Sequence, residues 1–360
     1  MTYKHRPEID TIPAYKQGKP APSAPGVRSF KLSSNENPYQ PLDSVKDVIA
    51  QSLDRINRYP DMSGWNVVSR LAEEIDVAPE NIQLGCGSTE VITQLVNLLA
   101  GPGDEVVYPW RSFEAYPIIV TGAGATSVKV PLTAQGTHDI DAMIAAVNEH
   151  TRLVIVNNPN NPTSTSVSDA GARKLLASVP SDVIVLFDEA YFQFNTDTDT
   201  SVAMDLFREF PNVVVAHTFS KAYGLAGLRI GYAVGPAAVI EGMRKVALPF
   251  AVSDVAQVAA VASLDAYDEL DSRVQNIVAE RVRLVRSLRE LGYTIPEPQA
   301  NFFWIGFGEK TQEAAARFEA AGLAVRVFAP EGIRISIGES EANDVVLEVC
   351  TSLAEDGFLS

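Results

Sequence analysis

The stretch His217-Thr218-Phe219-Ser220-Lys221-Ala222-Tyr223-Gly224-Leu225-Ala226-Gly227-Leu228-Arg229-Ile230-Gly231-Tyr232 follows the apolar run Val213-Val214-Val215-Ala216. That run is too short for a helix and reads as a buried strand. Lys221 therefore sits just past a strand end, flanked by the hydroxyl residues Thr218 and Ser220, with Gly224 and Gly227 permitting a tight turn behind it. An amine at the carboxyl edge of a parallel sheet, partly desolvated and near a second cation such as Arg229, has a lowered pKa and can form a Schiff base. A surface lysine in an ordinary strand-to-helix loop is the plainer reading of a lone Ser-Lys pair. The neighbouring strand ends decide between the two.

Working outward, Leu153-Val154-Ile155-Val156 runs into Asn157-Asn158-Pro159-Asn160-Asn161-Pro162-Thr163. Prolines on both sides of the asparagines fix that loop, so an amide is presented rather than averaged over rotamers. The run Val183-Ile184-Val185-Leu186-Phe187 leads into Asp188-Glu189-Ala190-Tyr191. A carboxylate ending an apolar strand is costly to bury unless it meets a cation, although capping a helix is an equal use for a lone Asp. The interval from Asp188 to Lys221 has room for a helix and one more strand. Successive parallel strands then bring both residues to one sheet edge, where ligands bind in open α/β sheets.

Upstream, Asn81-Ile82-Gln83-Leu84 reads as a strand, Gly85-Cys86-Gly87 as a turn, and Ser88-Thr89-Glu90 as the start of a helix over Val91 to Leu99. Backbone N–H groups pointing one way at a helix N-terminus make a phosphate cradle. Cys86 reads as a small packed side chain, since no general base lies near it in sequence. After the strand Asp104 to Pro109, the segment Trp110-Arg111-Ser112-Phe113-Glu114-Ala115-Tyr116 offers aromatic rings that can lie on a planar heterocycle.

The chain has 360 residues, more than one core usually organises, so two unequal domains are expected. With 46% hydrophobic and 21% charged residues it has an ordinary globular composition. Its formal net charge of -16 repels phosphate backbones and anionic lipid, which argues against nucleic acid or a membrane surface as main partner. No stretch approaches the roughly 18 apolar residues of a membrane helix, and Met1 to Asp10 lacks the apolar core of a secretory signal. Two cysteines give no disulfide framework, and the four histidines show no ligand spacing, so no metal is expected. A cytoplasmic setting is the expectation. Residues 1–30, rich in Pro, Lys and Gly, read as an extended arm.

The segment Ser220 to Arg229, with Asn161-Pro162-Thr163 and Asp188-Glu189-Ala190-Tyr191, resembles the fold-type I, pyridoxal-phosphate-dependent aminotransferases. Within them the similarity is to the histidinol-phosphate aminotransferase subfamily and its aromatic (phenylalanine) branch, over residues from about 12 to about 340. The resemblance implies an α/β fold: an arm over 1–30, a large cofactor-binding domain over 31–247 with a mostly parallel seven-stranded sheet between helices, and a small α+β domain over 248–360. It implies Lys221 as the catalytic amine, Asp188 on the pyridine nitrogen, and Asn161 and Tyr191 on the ring oxygen. Phe113 is the implied stacking ring, with Tyr116 and Trp110 as competitors, and Gly87, Ser88, Thr218, Ser220 and Arg229 surround the phosphate. Arg334 is implied to clamp the substrate carboxylate with a fork that lysine lacks, with Arg326, Tyr15 and one of the pair Asn35 and Asn37, Asn37 foremost, also facing substrate. Tyr59 is implied to reach the phosphate of a neighbouring subunit, making the sites of a homodimer shared. After Pro162-Thr163 relatives usually carry glycine. Here Ser164 stands, which opens a question about the local turn.

The implied activity is a ping-pong exchange of an amino group between phenylalanine, tyrosine or tryptophan and 2-oxoglutarate. Histidinol phosphate is the closest alternative donor, because both branches share the catalytic residues. A decarboxylase or lyase would use the same lysine.

Overall fold

The structure, a computed structural model, describes residues 4–22 and 28–359. Its strands in chain order are β1 (Phe30–Lys31), β2 (Ile82–Gly85), β3 (Glu105–Trp110), β4 (Thr126–Pro131), β5 (Thr151–Asn157), β6 (Ile184–Asp188), β7 (Val213–Thr218), β8 (Gly231–Val234), β9 (Phe302–Gly306), β10 (Leu323–Ala324), β11 (Arg326–Phe328) and β12 (Gly332–Ser336). Seven of them form the large sheet, in the order β2-β8-β7-β6-β5-β3-β4. The five from β3 to β7 run parallel, and β8 is antiparallel to both β7 and β2. The mostly parallel α/β architecture expected from sequence is the one observed.

Alternate residues of the central strands explain why these runs are continuously apolar. Val185 and Phe187 of β6 enter one core while Ile184 and Leu186 enter the other, and Val213 and Val215 are separated from Val214 and Ala216 in the same way. With helices on both faces, every position of a parallel strand is buried and no polar alternation survives.

Parallel direction also aligns the strand ends. Asn157 is registered against Asp188, and Asp188 against Ala216, so β5, β6 and β7 deliver their polar C-terminal residues to one edge. The helix Ser88–Leu99 begins at the same region and buries Val91, Ile92, Leu95 and Val96.

The C-terminal part carries the helices Asp254–Asp265 and Tyr267–Glu290, the first capped by Ser253 accepting from the Ala256 N–H. A three-stranded antiparallel sheet of order β11-β12-β9 follows. In it Arg326 lies directly opposite Arg334. At the expected junction of arm and large domain, β1 pairs in parallel with β10, and Leu32 O accepts from Ser336 N. The backbone at 30–32 is thus bonded to C-terminal strands, which also fixes Ser33 to Asn35 beside them. No helix among the described residues is long and apolar enough to cross a membrane.

Candidate active site

A cavity of about 200 Å3 lies at the edge where β5, β6 and β7 end. It is lined by Ser88, Phe113, Asn161, Asp188, Tyr191, Thr218, Ser220, Lys221 and Arg229, with Tyr15 at 55% exposure by its mouth. An adjoining cavity of about 90 Å3 shares Tyr15, Phe113, Asn161, Tyr191 and Lys221 with it, and adds Arg326 and Arg334. These residues come from separate strand ends and loops, and the topology collects them.

Lys221 is held by a short turn in which the Gly224 N–H donates to Lys221 O and the Leu225 N–H to Phe219 O. Its Nζ donates to the carbonyls of Ser34 and Asn35, each at 3.2 Å. Burial, then the positive charge of Arg334, pushes its pKa down to about 7. Near neutral pH a large share of this amine is therefore uncharged and nucleophilic.

Asp188 is buried at 2% exposure. The Tyr116 hydroxyl donates to its Oδ2 at 2.6 Å, while Oδ1 has no hydrogen-bond partner among the described residues. Burial raises the Asp188 pKa to about 6, partly offset by the Tyr116 hydrogen bond. A buried carboxylate oxygen with no partner, beside a cavity, fits a cationic ring nitrogen.

At the other end of the cavity, Thr218 Oγ1 donates to Ser220 Oγ at 3.0 Å and the Arg229 Nη1 approaches Ser220 Oγ at 3.4 Å. Arg229 Nη2 also donates to Cys86 O. Gly87 has φ of +79°, and a Cβ there would stand 2.7 Å from Arg229 Nη2. The helix N-terminus at Ser88, two hydroxyls and one guanidinium together fit a phosphate. Pyridoxal phosphate carries a cationic ring nitrogen, an aldehyde and a phosphate, and the chemistry of Asp188, Lys221 and the Ser88–Ser220–Arg229 group fits each in turn.

The other expected residues divide between the cavity and its surroundings. Tyr116 is fully buried against Asp188, and Trp110 packs on Tyr108 with Lys129 and Arg111 over its ring, so neither faces the cavity as Phe113 does. Asn37 lines neither cavity. Its Nδ2 donates to Lys221 O and Ala222 O, at 3.1 and 3.0 Å, and so clamps the lysine turn from behind. Asn35 is the buried member of that pair, donating to the Tyr191 hydroxyl at 3.1 Å. Tyr59 lies outside both cavities at 82% exposure, its ring 4.7 Å from that of Phe250. Arg334, from an alternating strand, is 6% exposed and inward-facing. Ser164 adopts φ of +65°, the left-handed region glycine favours. Its Oγ accepts from Gln299 N and Ala300 N, tying the asparagine loop to the C-terminal part. Cys86 donates to Ala251 O and has its pKa raised to about 11, chiefly by burial, which leaves it an inert thiol near neutral pH.

Asn157, like Ser34 and Glu36, lines the cavity too without having been an expected site residue. Its Nδ2 donates to Asp188 O and its Oδ1 accepts from Asn161 N. The available signal was its place as the last residue of β5, level with Asp188.

A family model described as aminotransferase class I and II matches residues 28–349. The chain is 53% identical over 346 residues to an aromatic amino acid aminotransferase of Streptomyces avermitilis, covering 96% of each chain. It is 51% identical over the same length to one from Streptomyces coelicolor, again covering 96% of each. Among solved structures it is similar to a histidinol-phosphate aminotransferase from Sinorhizobium meliloti in complex with pyridoxal-5'-phosphate, with a TM-score of 0.84, 26% identity and 92% of each chain covered.

Proposed function

Because the chain belongs to the class I and II aminotransferases, we propose that it exchanges an amino group between aromatic amino acids and 2-oxoglutarate at the cavity holding Lys221. The family depends on pyridoxal phosphate. When bound, that cofactor supplies an aldehyde that accepts the amino group and a protonated ring that withdraws electrons from the amino acid's α-carbon.

The observation that carries the site assignment is the convergence of Lys221, the unpartnered Asp188 oxygen and the Arg229 group on one sheet edge. Lys221, with its lowered pKa, would carry the proton from the amino acid's α-carbon to the carbon that held the cofactor's aldehyde, and the same amine would reverse that transfer when an oxo acid is the substrate. Asp188 would hold the ring-nitrogen proton, Asn161 and Tyr191 would bond the ring oxygen, and Phe113 would stack on the ring. Gly87, Ser88, Thr218, Ser220 and Arg229 would bind the phosphate. Arg334 receives the substrate's α-carboxylate as a bidentate fork. Each substrate pair uses the same cavity in turn, an amino acid leaving as its oxo acid before the second oxo acid enters.

The aromatic donor is favoured by the names of relatives about half identical in sequence, and by Phe113, Phe328 and Tyr15 around the Arg334 cavity. In competition on one preparation, kcat/KM for phenylalanine should exceed that for histidinol phosphate by at least about tenfold, as a pocket discriminating by several contacts gives. The reverse preference makes the chain a histidinol-phosphate aminotransferase instead. Release of carbon dioxide with no oxo-acid-dependent amino transfer points to a decarboxylase.

A homodimer completing its sites across the interface is the second part of this reading. Met62, Trp65, Leu248 and Phe250 are exposed around a groove of about 740 Å3, with Tyr59 against Phe250, and such a cluster of exposed large apolar side chains supports an interaction face there. Sedimentation should give a dimer, and Tyr59→Phe should weaken cofactor retention about tenfold or more without dissociating the dimer, the loss of one hydrogen bond to a charged group. A monomer in sedimentation removes the shared-site reading. We also assign the chain to the cytoplasm, and keep the division into an arm (1–30), a large domain (31–247) and a small domain (248–360), with β1 seated on the small domain.

Gly231 supports the cradle from behind, since a Cβ there would lie 2.6 Å from Ser88 N and 2.7 Å from the Gly87 carbonyl carbon. Gly231→Ala should therefore displace the Gly87–Ser88 backbone and weaken cofactor binding about tenfold or more, an overpacking cost of 1–3 kcal/mol. Spectrophotometric titration of the cofactor-free protein measures it, and unchanged affinity refutes it.

A further inference from the structure

The two arginines facing each other across β11 and β12 reach one cavity in different electrostatic states. Arg334 bonds only neutral oxygens, those of Asn161 Oδ1 and Ser33 O, and its buried Nε has no partner among the described residues. Arg326 is instead paired with the Glu114 carboxylate, their side chains 11% and 29% exposed. Its guanidinium lies 5.6 Å from the Phe328 ring centroid. Arg111, over the other contact of that ring at 5.4 Å, is likewise closed by Glu331. The cavity thus offers one uncompensated cation and, beside it, a neutral wall of aromatic rings and a closed ion pair.

We propose that Glu114 is a specificity-determining residue: by neutralising Arg326 it shapes the outer pocket for an uncharged side chain, and it releases Arg326 when the partner substrate brings a side-chain carboxylate. The inference rests on the amino-acid and oxo-acid reading above and deepens it. One site must accept an aromatic ring in one half of the cycle and a second carboxylate in the other. A ring packs against Phe328 and the flat guanidinium with the ion pair intact. A carboxylate exchanges one charged partner of Arg326 for another, and Glu114, the more exposed member of the pair, turns to water. Removing the Glu114 charge leaves Arg326 uncompensated. That state favours an anionic side chain and penalises an apolar one, because a desolvated cation without a partner is costly.

The test uses the cofactor-loaded enzyme and two unreactive probes that both carry a carboxylate for Arg334, glutarate and 3-phenylpropanoate, with affinities read by calorimetry. Glu114→Gln should tighten glutarate and weaken 3-phenylpropanoate, moving their affinity ratio by about tenfold or more, as loss of a partly buried charge partner does. Arg326→Gln should weaken glutarate by about tenfold or more and 3-phenylpropanoate by only the few-fold that one guanidinium–ring contact is worth. A purely structural Glu114 moves both probes by the same factor, and that outcome, or an unmoved ratio, overturns the proposal. Wild-type enzyme that fails to turn over phenylalanine overturns the amino-donor reading instead, and leaves the probe ratio to judge Glu114 by itself.

Discussion

Lys221→Ala should lower amino transfer by at least about 10⁴-fold, the range expected when a covalent anchor and a proton-transfer group are lost together. The protein should still fold, because among the described residues the Lys221 side chain bonds only two carbonyls through its Nζ, and its backbone hydrogen bonds survive the change. Its pH behaviour is the sharper test. Burial and the Arg334 charge place the folded-state pKa of the amine near 7, against an ordinary 10.5. Capture of pyridoxal phosphate by the cofactor-free wild type needs the uncharged amine. Its rate should rise through pH 7 and level off above about pH 8, rather than climbing toward pH 10. Absorbance after rapid mixing gives that profile, and borohydride followed by peptide mapping should place the adduct on Lys221. A yellow, borohydride-fixable adduct that persists in Lys221→Ala refutes the assignment of this residue.

Asp188→Asn should separate function from stability. Replacing a preorganised charge aimed at the reacting system costs about 10²–10³ in kcat. In the cofactor-free protein the same change should be stabilising. Burial raises the folded-state pKa of Asp188 to about 6 from 3.8, so between roughly pH 4 and pH 6 the folded chain holds a proton that the unfolded chain has released. Stability therefore falls as pH rises through that window, and above it the full penalty, on the order of 2–3 kcal/mol, persists. Asparagine carries no charge and escapes the penalty, so the Tm of cofactor-free Asp188→Asn at pH 7 should exceed wild type by a few degrees. At pH 4 the gap should narrow. Pyridoxal phosphate should then raise the wild-type Tm more than the variant's, because only the wild type gains a partner for the buried carboxylate. An equal rise in both proteins would mean that Asp188 does not meet the ring.

Tyr116 shows why part of the site was hidden in the sequence. In the chain it is one of three aromatics after a strand, each equally able to stack on a flat ligand. Only packing distinguishes them, turning Tyr116 inward to the Asp188 carboxylate and leaving Phe113 on the cavity. Asn37 and Asn35 show the same limit at two-residue spacing. One supports the lysine turn and the other is buried against Tyr191, a division set by the left-handed backbone of Asn35 at φ +52°.

The sequence by itself determined the parallel sheet, the edge where the cavity lies, and the lysine, aspartate and asparagine presented there. Each is a local signal: a short apolar run ended by a polar residue of a particular chemistry, with prolines or glycines fixing the turn. Only the tertiary structure decided which charges are compensated. Glu114 lies far from Arg326 along the chain, and Ser33 farther still from Arg334, yet these contacts make one arginine a neutral wall and leave the other open to a carboxylate. The physical reason is that the cost of a buried charge depends on what stands within a few ångströms of it, and strands from distant parts of the chain supply those neighbours.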